Sequence, residues 1–148
     1  MDTPARTGDC VVLDTNIVLD VFVFRDPAAL PVQQALEAGA LDWIATQPMR
    51  DELERVLAYP QIIPRLAFYK LEAADVLAGF DRHARLVPVA AKAAVTCSDA
   101  DDQKFIDLAV AHKTWLLSKD QAVLSMQKRL LALDVRAQSA INKVANLV

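Results

Sequence analysis

The sequence predicts an α/β fold, a three-layer sandwich with a central, mostly parallel sheet. Three observations carry that prediction. Short apolar stretches at residues 11–13, 41–45, 86–89, 114–118 and 134–137 alternate with helix-length segments, the pattern of βαβ units. The first stretch, Val11, Val12 and Leu13, is apolar at every position, as a strand covered on both faces must be. A chain of 148 residues with 54% hydrophobic and 24% charged residues can bury about two thirds of its unfolded surface without a disulfide or metal staple. That balance excludes disordered, collagen-like and coiled-coil classes. No repeat, low-complexity tract or linker interrupts the chain, so a single domain over residues 1–148 is expected.

The elements follow in order. Residues 16–24 read as a buried helix, and Asp26 before Pro27 caps a second one over 27–38. After the strand at 41–45, Thr46, Gln47 and Pro48 start a helix whose apolar positions Met49, Leu53, Val56 and Leu57 share one face until Pro60. Residues 64–85 form one long or broken helix and 86–89 a strand. Residues 101–113 are amphipathic, 114–118 strand-like, 121–133 helical, and 134–137 suit a last strand. Beyond Gln138, Ile141, Val144 and Val148 suit either a last helix or a partner contact.

A formal charge of −3 gives no overall basic field, unless several carboxylates belong to a metal. Cys10 and Cys97 lack the number and spacing of a disulfide framework or zinc knuckle and read as packed thiols. The first ten residues lack the apolar stretch of a leader. The richest apolar run, 17–24, is broken by Asp20 and falls short of the roughly 18 residues a span needs, so a cytoplasmic protein without membrane contact is expected. There is no P-loop or GxGxxG, and His83 and His112 have neither metal-ligand spacing nor a nucleophile nearby in sequence.

Most of the nineteen acids serve solubility. Four stand in unusual places. Asp14 closes a buried strand, where side chains enter the crevice above a parallel sheet; an N-cap of the next helix is the plainer reading. Glu52 lies at the edge of its helix's apolar stripe, whereas Glu54 is on the wet face; the alternative is a Glu reaching Arg50 or Arg55. Asp101 and Asp102 precede Phe105 by four and three and project toward the apolar side, although Ser98, Asp99 and Asp101 also suit a helix start. Asp120 follows the strand at 114–118, again at a carboxyl end or as a cap.

Converging above one sheet, these carboxylates would form an all-oxygen site for one or two Mg²⁺ or Mn²⁺ ions, hence for phosphate esters. Such ions activate a water for phosphodiester hydrolysis without a side-chain nucleophile. Four metal-bound carboxylates would take the formal charge from −3 to +1 and so permit a polyanionic substrate. Arg50, Lys104 and Lys119 lie near the candidate acids and are candidates for holding backbone phosphates of a polyanionic substrate, beside the plainer reading as surface charge.

VVLDTNIVLD (11–20), RDELERVL (50–57), SDADDQKFIDLAVA (98–111) and LLSKD (116–120), in that order, resemble the PIN-domain ribonucleases, and within them the bacterial toxin components of toxin–antitoxin systems. The resemblance covers nearly the whole chain. It implies a five-stranded parallel sheet between helices, a Mg²⁺ or Mn²⁺ site, and cleavage of single-stranded RNA to products bearing a 5′ phosphate. Residue by residue, it implies Asp14, Glu52, Asp102 and Asp120 as catalytic metal ligands, with Asp99 and Asp101 as further candidates. Asn16 and Ser118 match the polar residues that orient these acids. A small antitoxin covering the acidic site and a homodimer are the partners it implies. Two positions depart from the pattern. Gln103 stands where relatives often carry a third consecutive acid, which would lower metal affinity if that position is a ligand. Ser118-Lys119-Asp120 stands where they often have Thr-Gly-Asp.

Two other readings remain at this point. One is a catalytically weak or silent fold of the same kind that binds RNA or protein. The other is an acidic α/β phosphatase or receiver domain, against which Asn16 stands where such a phosphatase has its second aspartate.

Overall fold

The computed structural model describes residues 9–139. Five strands, β1 (Asp9–Leu13), β2 (Leu41–Ala45), β3 (Ala84–Leu86), β4 (Trp115–Leu117) and β5 (Arg136–Gln138), form one sheet in the order β3-β2-β1-β4-β5. Every pairing is parallel, with Val11 opposite Trp43 on one side and Trp115 on the other. Val11 and Val12 are fully buried and Leu13 nearly so, as a central strand with layers on both faces requires. The sheet is thus the expected α/β sandwich.

From β1 the chain builds outward to β2 and β3, then returns to place β4 on the other side of β1. That reversal makes the β1/β4 boundary the topological switch point, where a crevice opens at the carboxyl ends of the strands.

The helices pack on this frame. Helix α1 (Thr15–Leu19) runs into a wider π-helical turn, Asp20–Phe24, that ends at Arg25 in the left-handed region (φ 50°). After a 3₁₀ turn, Pro27–Ala29, capped by Asp26 through the Ala28 N–H, α2 (Leu30–Glu37) packs on β2. Helix α3 (Gln47–Leu57) buries Met49, Leu53 and Leu57. The 64–85 stretch is broken into α4 (Ile63–Phe68) and α5 (Ala73–His83), separated by Lys70 at φ 57° and restarted by a reciprocal Glu72/Asp75 capping box. Phe22 stacks on Trp43, and Gly79 of α5 lies so close that an added Cβ would meet the Phe22 ring at 3.0 Å.

Three boundaries differ from expectation, each for a local reason. β3 starts at Ala84 and ends at Leu86, not 86–89, because Pro88 has no N–H to give the ladder. Residues 121–133 divide into α7 (Gln121–Leu124) and α8 (Gln127–Leu131), where the Ser125 hydroxyl donates back to the Ala122 carbonyl at 3.2 Å. β5 begins at Arg136 because Asp134 turns into the left-handed region (φ 67°). Before β4, a 3₁₀ turn, Ala100–Asp102, leads into α6 (Gln103–His112), which packs on β1 and β4. Ile141, Val144 and Val148 lie outside the described residues.

Candidate functional site

Asp14 stands just beyond β1, its own N–H still bonded to the Leu117 carbonyl of β4 at 3.1 Å. Its Oδ1 accepts the Ile17 N–H at 3.0 Å and caps α1, so the plain reading of this residue holds. Its Oδ2 is free of the helix and accepts the Ser118 hydroxyl, which also accepts the Asp120 N–H at 3.0 Å. Ser118, fully buried after β4, therefore ties the two strand ends together. Burial pushes the Asp14 carboxyl above its ordinary range, against the lowering effect of Ser118 and the Ile17 and Asn16 N–H groups; Asp120 adds to the rise.

Asp120 caps α7 through one oxygen, with the Ala122 N–H at 2.9 Å. Asp99 does the same for the 3₁₀ turn through the Asp101 N–H at 2.9 Å. Asp102 stands at the start of α6 without a side-chain cap bond, and its Oδ2 is buried with no hydrogen-bond partner. One ligand atom from each of Asp99, Asp102 and Asp120 lies within 4.8 Å of the other two. Asp101 is exposed and stands outside that cluster. Burial first, then the hydrogen bond and charge of Asp120 and the charges of Asp99 and Asp14, push Asp102 up to about 8.

Glu52 forms the opposite wall. A cleft of about 230 Å³ is lined by Asp14, Asn16, Glu52, Tyr59, Asp102 and Phe105 among others. The Thr15 hydroxyl donates to Glu52 Oε2 at 2.5 Å and the Lys104 ammonium pairs with Oε1. Glu54 is exposed, as its helical position requires. Asn16 is exposed in the cleft wall and meets Asp14 through its backbone N–H.

All three cations named for backbone phosphates are engaged with carboxylates. Arg50 makes a two-pronged contact with Asp81 at 2.7 and 2.8 Å; Lys104 holds Glu52; Lys119 pairs with buried Asp20 at 2.5 Å. Gln103, the departure that would lower metal affinity if it were a ligand position, is bonded outside the Asp99, Asp102 and Asp120 cluster. Its Oε1 accepts the Cys97 N–H at 2.6 Å, and its Nε2 donates to the Val95 carbonyl and to Asp107 Oδ1. It is a staple for the loop that delivers Asp99. Sequence reasoning missed that staple, the Thr15 hydroxyl and the Asp20–Lys119 pair. Only Asp20, an acid inside an apolar run, carried a signal in advance.

Fold and site together define an α/β protein with an acidic crevice at the switch point of a parallel sheet. The chain belongs to the PIN domain family, whose model matches residues 10–122. Its fold is similar to that of a chain in the crystal structure of VapBC2 from Rickettsia felis bound to a DNA fragment from their promoter. The TM-score is 0.57 at 13% identity, over 86% of this chain and 98% of that one. Among curated proteins, none matches the chain significantly. No helix among the described residues is long and apolar enough to cross a membrane.

Proposed function

We propose that this chain is a Mg²⁺- or Mn²⁺-dependent endoribonuclease of the toxin kind, hydrolysing phosphodiester bonds of single-stranded RNA in the cytoplasm. The observation that carries the reading is Asp102, a buried carboxylate with one unpartnered oxygen, clustered with Asp99 and Asp120. Ionising a buried carboxyl among other acids is costly, and a hard cation offsets that cost by taking the proton's place. The donor set fits: carboxylate oxygens only, with no nitrogen or sulfur ligand in the cluster.

Asp102 and Asp120, with Asp99 and Asp14 around them, would hold such an ion, and Glu52 faces it across the cleft. The ion would supply charge for phosphate oxygens and an activated water. Ser118 fixes the orientation of Asp14 and the position of Asp120 through one hydroxyl. Thr15 and Lys104 hold Glu52. Asp14 and Asp102 line the same cleft of about 230 Å³ as Glu52. The likeness to VapBC2 favours an antitoxin protein as partner, and self-association as a homodimer belongs to the same reading.

The test is calorimetric titration of Mn²⁺ into the protein and its Asp14→Asn and Asp102→Asn variants, with cleavage of a labelled single-stranded RNA followed in the same samples. Binding and cleavage that both collapse in the variants support the reading. Full cleavage by either variant, free of host nuclease, sinks it. Metal binding without cleavage of any RNA offered, with or without a partner, would leave a binding module.

A further inference from the structure

Glu52 and Asp102 face one cleft in opposite states. Asp102 Oδ2 has no donor. Both oxygens of Glu52 are taken, one by the Thr15 hydroxyl and one by the Lys104 ammonium. Lys104 is itself held in place: its Nζ also donates to the Asp101 carbonyl at 2.7 Å and lies 5.0 Å from the centre of the Phe105 ring. An ammonium fixed on three sides and 28% exposed is a built feature of the wall rather than a loose surface charge.

A cation already seated on a carboxylate both neutralises it and repels a second cation, most strongly where water is partly excluded. Resting on the metal-dependent reading above, we infer that Lys104 is a resident cation that takes the place of a second divalent ion at Glu52. The chain then holds a single ion, on the Asp102 side. Glu52 acts through its hydrogen bonds and its neutralised charge. Lys104 is a positioning residue for Glu52 and is not available to an RNA phosphate.

The probe is Mn²⁺ alone, read by calorimetric stoichiometry and by electron paramagnetic resonance, with no RNA present. Wild type is expected to bind one ion with the spectrum of an isolated Mn²⁺. Lys104→Met, which keeps an unbranched apolar side chain and removes the charge, is expected to bind a second ion and to show the spin-coupled spectrum of a pair. Glu52→Gln is expected to keep one ion with a Kd within about threefold of wild type, since it loses no ligand of that ion. The double variant Lys104→Met/Glu52→Gln should return to one ion. Two ions in wild type overturn the inference, as does a single ion in a folded Lys104→Met. Loss of the first ion in Glu52→Gln overturns it independently, should Lys104→Met fail to fold. No bound ion in wild type would remove the metal-dependent reading itself, an outcome distinct from finding two.

Discussion

Two buried aspartates, Asp42 and Asp102, are served very differently. Asp42, on β2 away from the switch point, receives Arg85 in a two-pronged contact at 3.1 and 2.7 Å. Asp102, at the carboxyl rim, meets other acids and keeps one oxygen without a partner. Burial imposes a desolvation penalty on both. The fold offsets it at Asp42 and leaves it standing at Asp102. An acid that only stabilises a domain has no reason to stay unpaired, so the contrast separates the structural carboxylate from the candidate functional one without reference to family.

Substitution should break that contrast most sharply. Asp102→Asn is expected to abolish Mn²⁺ binding and to lower RNA cleavage by about 10³-fold or more, the scale for a group that acts in the reaction itself. The metal-free variant should also be more stable than wild type, because one member of a repelling cluster is gone. Asp42→Ala should do the reverse. It strands Arg85, whose side chain is one-third exposed, and costs about 2 kcal/mol in urea unfolding while metal affinity is unchanged. If both variants destabilise the metal-free protein equally, the distinction fails.

Ser118 tests the joint between the two strand ends. Ser118→Ala removes the donor to Asp14 Oδ2 and the acceptor of the Asp120 N–H. A loss of about 1–2 kcal/mol in stability follows from the unpaired groups. Mn²⁺ affinity should fall about tenfold, the usual effect of removing a residue that orients ligands. Unaltered affinity would mean that Asp14 keeps its orientation without the hydroxyl.

pH sharpens the contrast further. The Asp102 carboxyl is raised from 3.8 to about 8 by burial and by Asp120, Asp99 and Asp14, and Asp14 is raised in the same direction. The native state therefore binds more protons than the unfolded chain between those values. Stability without metal is fully present below about pH 4 as far as these groups are concerned and is lost as pH rises through about 8. Mn²⁺ replaces the protons, so its stabilising effect should grow with pH over the same window. Thermal unfolding with and without Mn²⁺ at pH 5 and pH 8 decides the matter; equal stabilisation at both would show that the cluster is already ionised at pH 5.

Much of the fold is legible in sequence because its signals are local. Val11 to Leu13 can be read as a central strand because a short, β-branched run that is apolar throughout suits a strand covered on both faces, and Met49, Leu53 and Leu57 define α3 by spacing alone. That residues 64–85 break is left open by the sequence; the positions of the breaks at Lys70, Ser125 and Asp134 are not legible, since each depends on a turn conformation that several residue types tolerate. Asp14 and Asp120 declare themselves by standing at strand ends. What sequence cannot supply is partner choice across the chain: Arg50 could turn to Glu52 or Asp81, Lys119 to Asp20 or to a phosphate, and Gln103 to the acids or to the loop. Those choices are settled by packing between segments tens of residues apart.

Arg50 gives the smallest expected effect and the finest comparison. Its partner Asp81 is about half exposed, and the guanidinium holds that carboxyl below the usual carboxylate range. A solvated pair of this kind contributes about 0.5 kcal/mol, so Asp81→Asn should hardly move the unfolding midpoint. What changes is the availability of the guanidinium. Arg50 begins the second turn of the helix that carries Glu52, and once released it can reach a phosphate that Asp81 otherwise denies it. The slope of log affinity for a single-stranded RNA against log salt should then steepen by about 0.7, one phosphate contact's worth for a single strand. A slope identical to wild type would place Arg50 off the path of the RNA and assign the pair to joining α3 with α5.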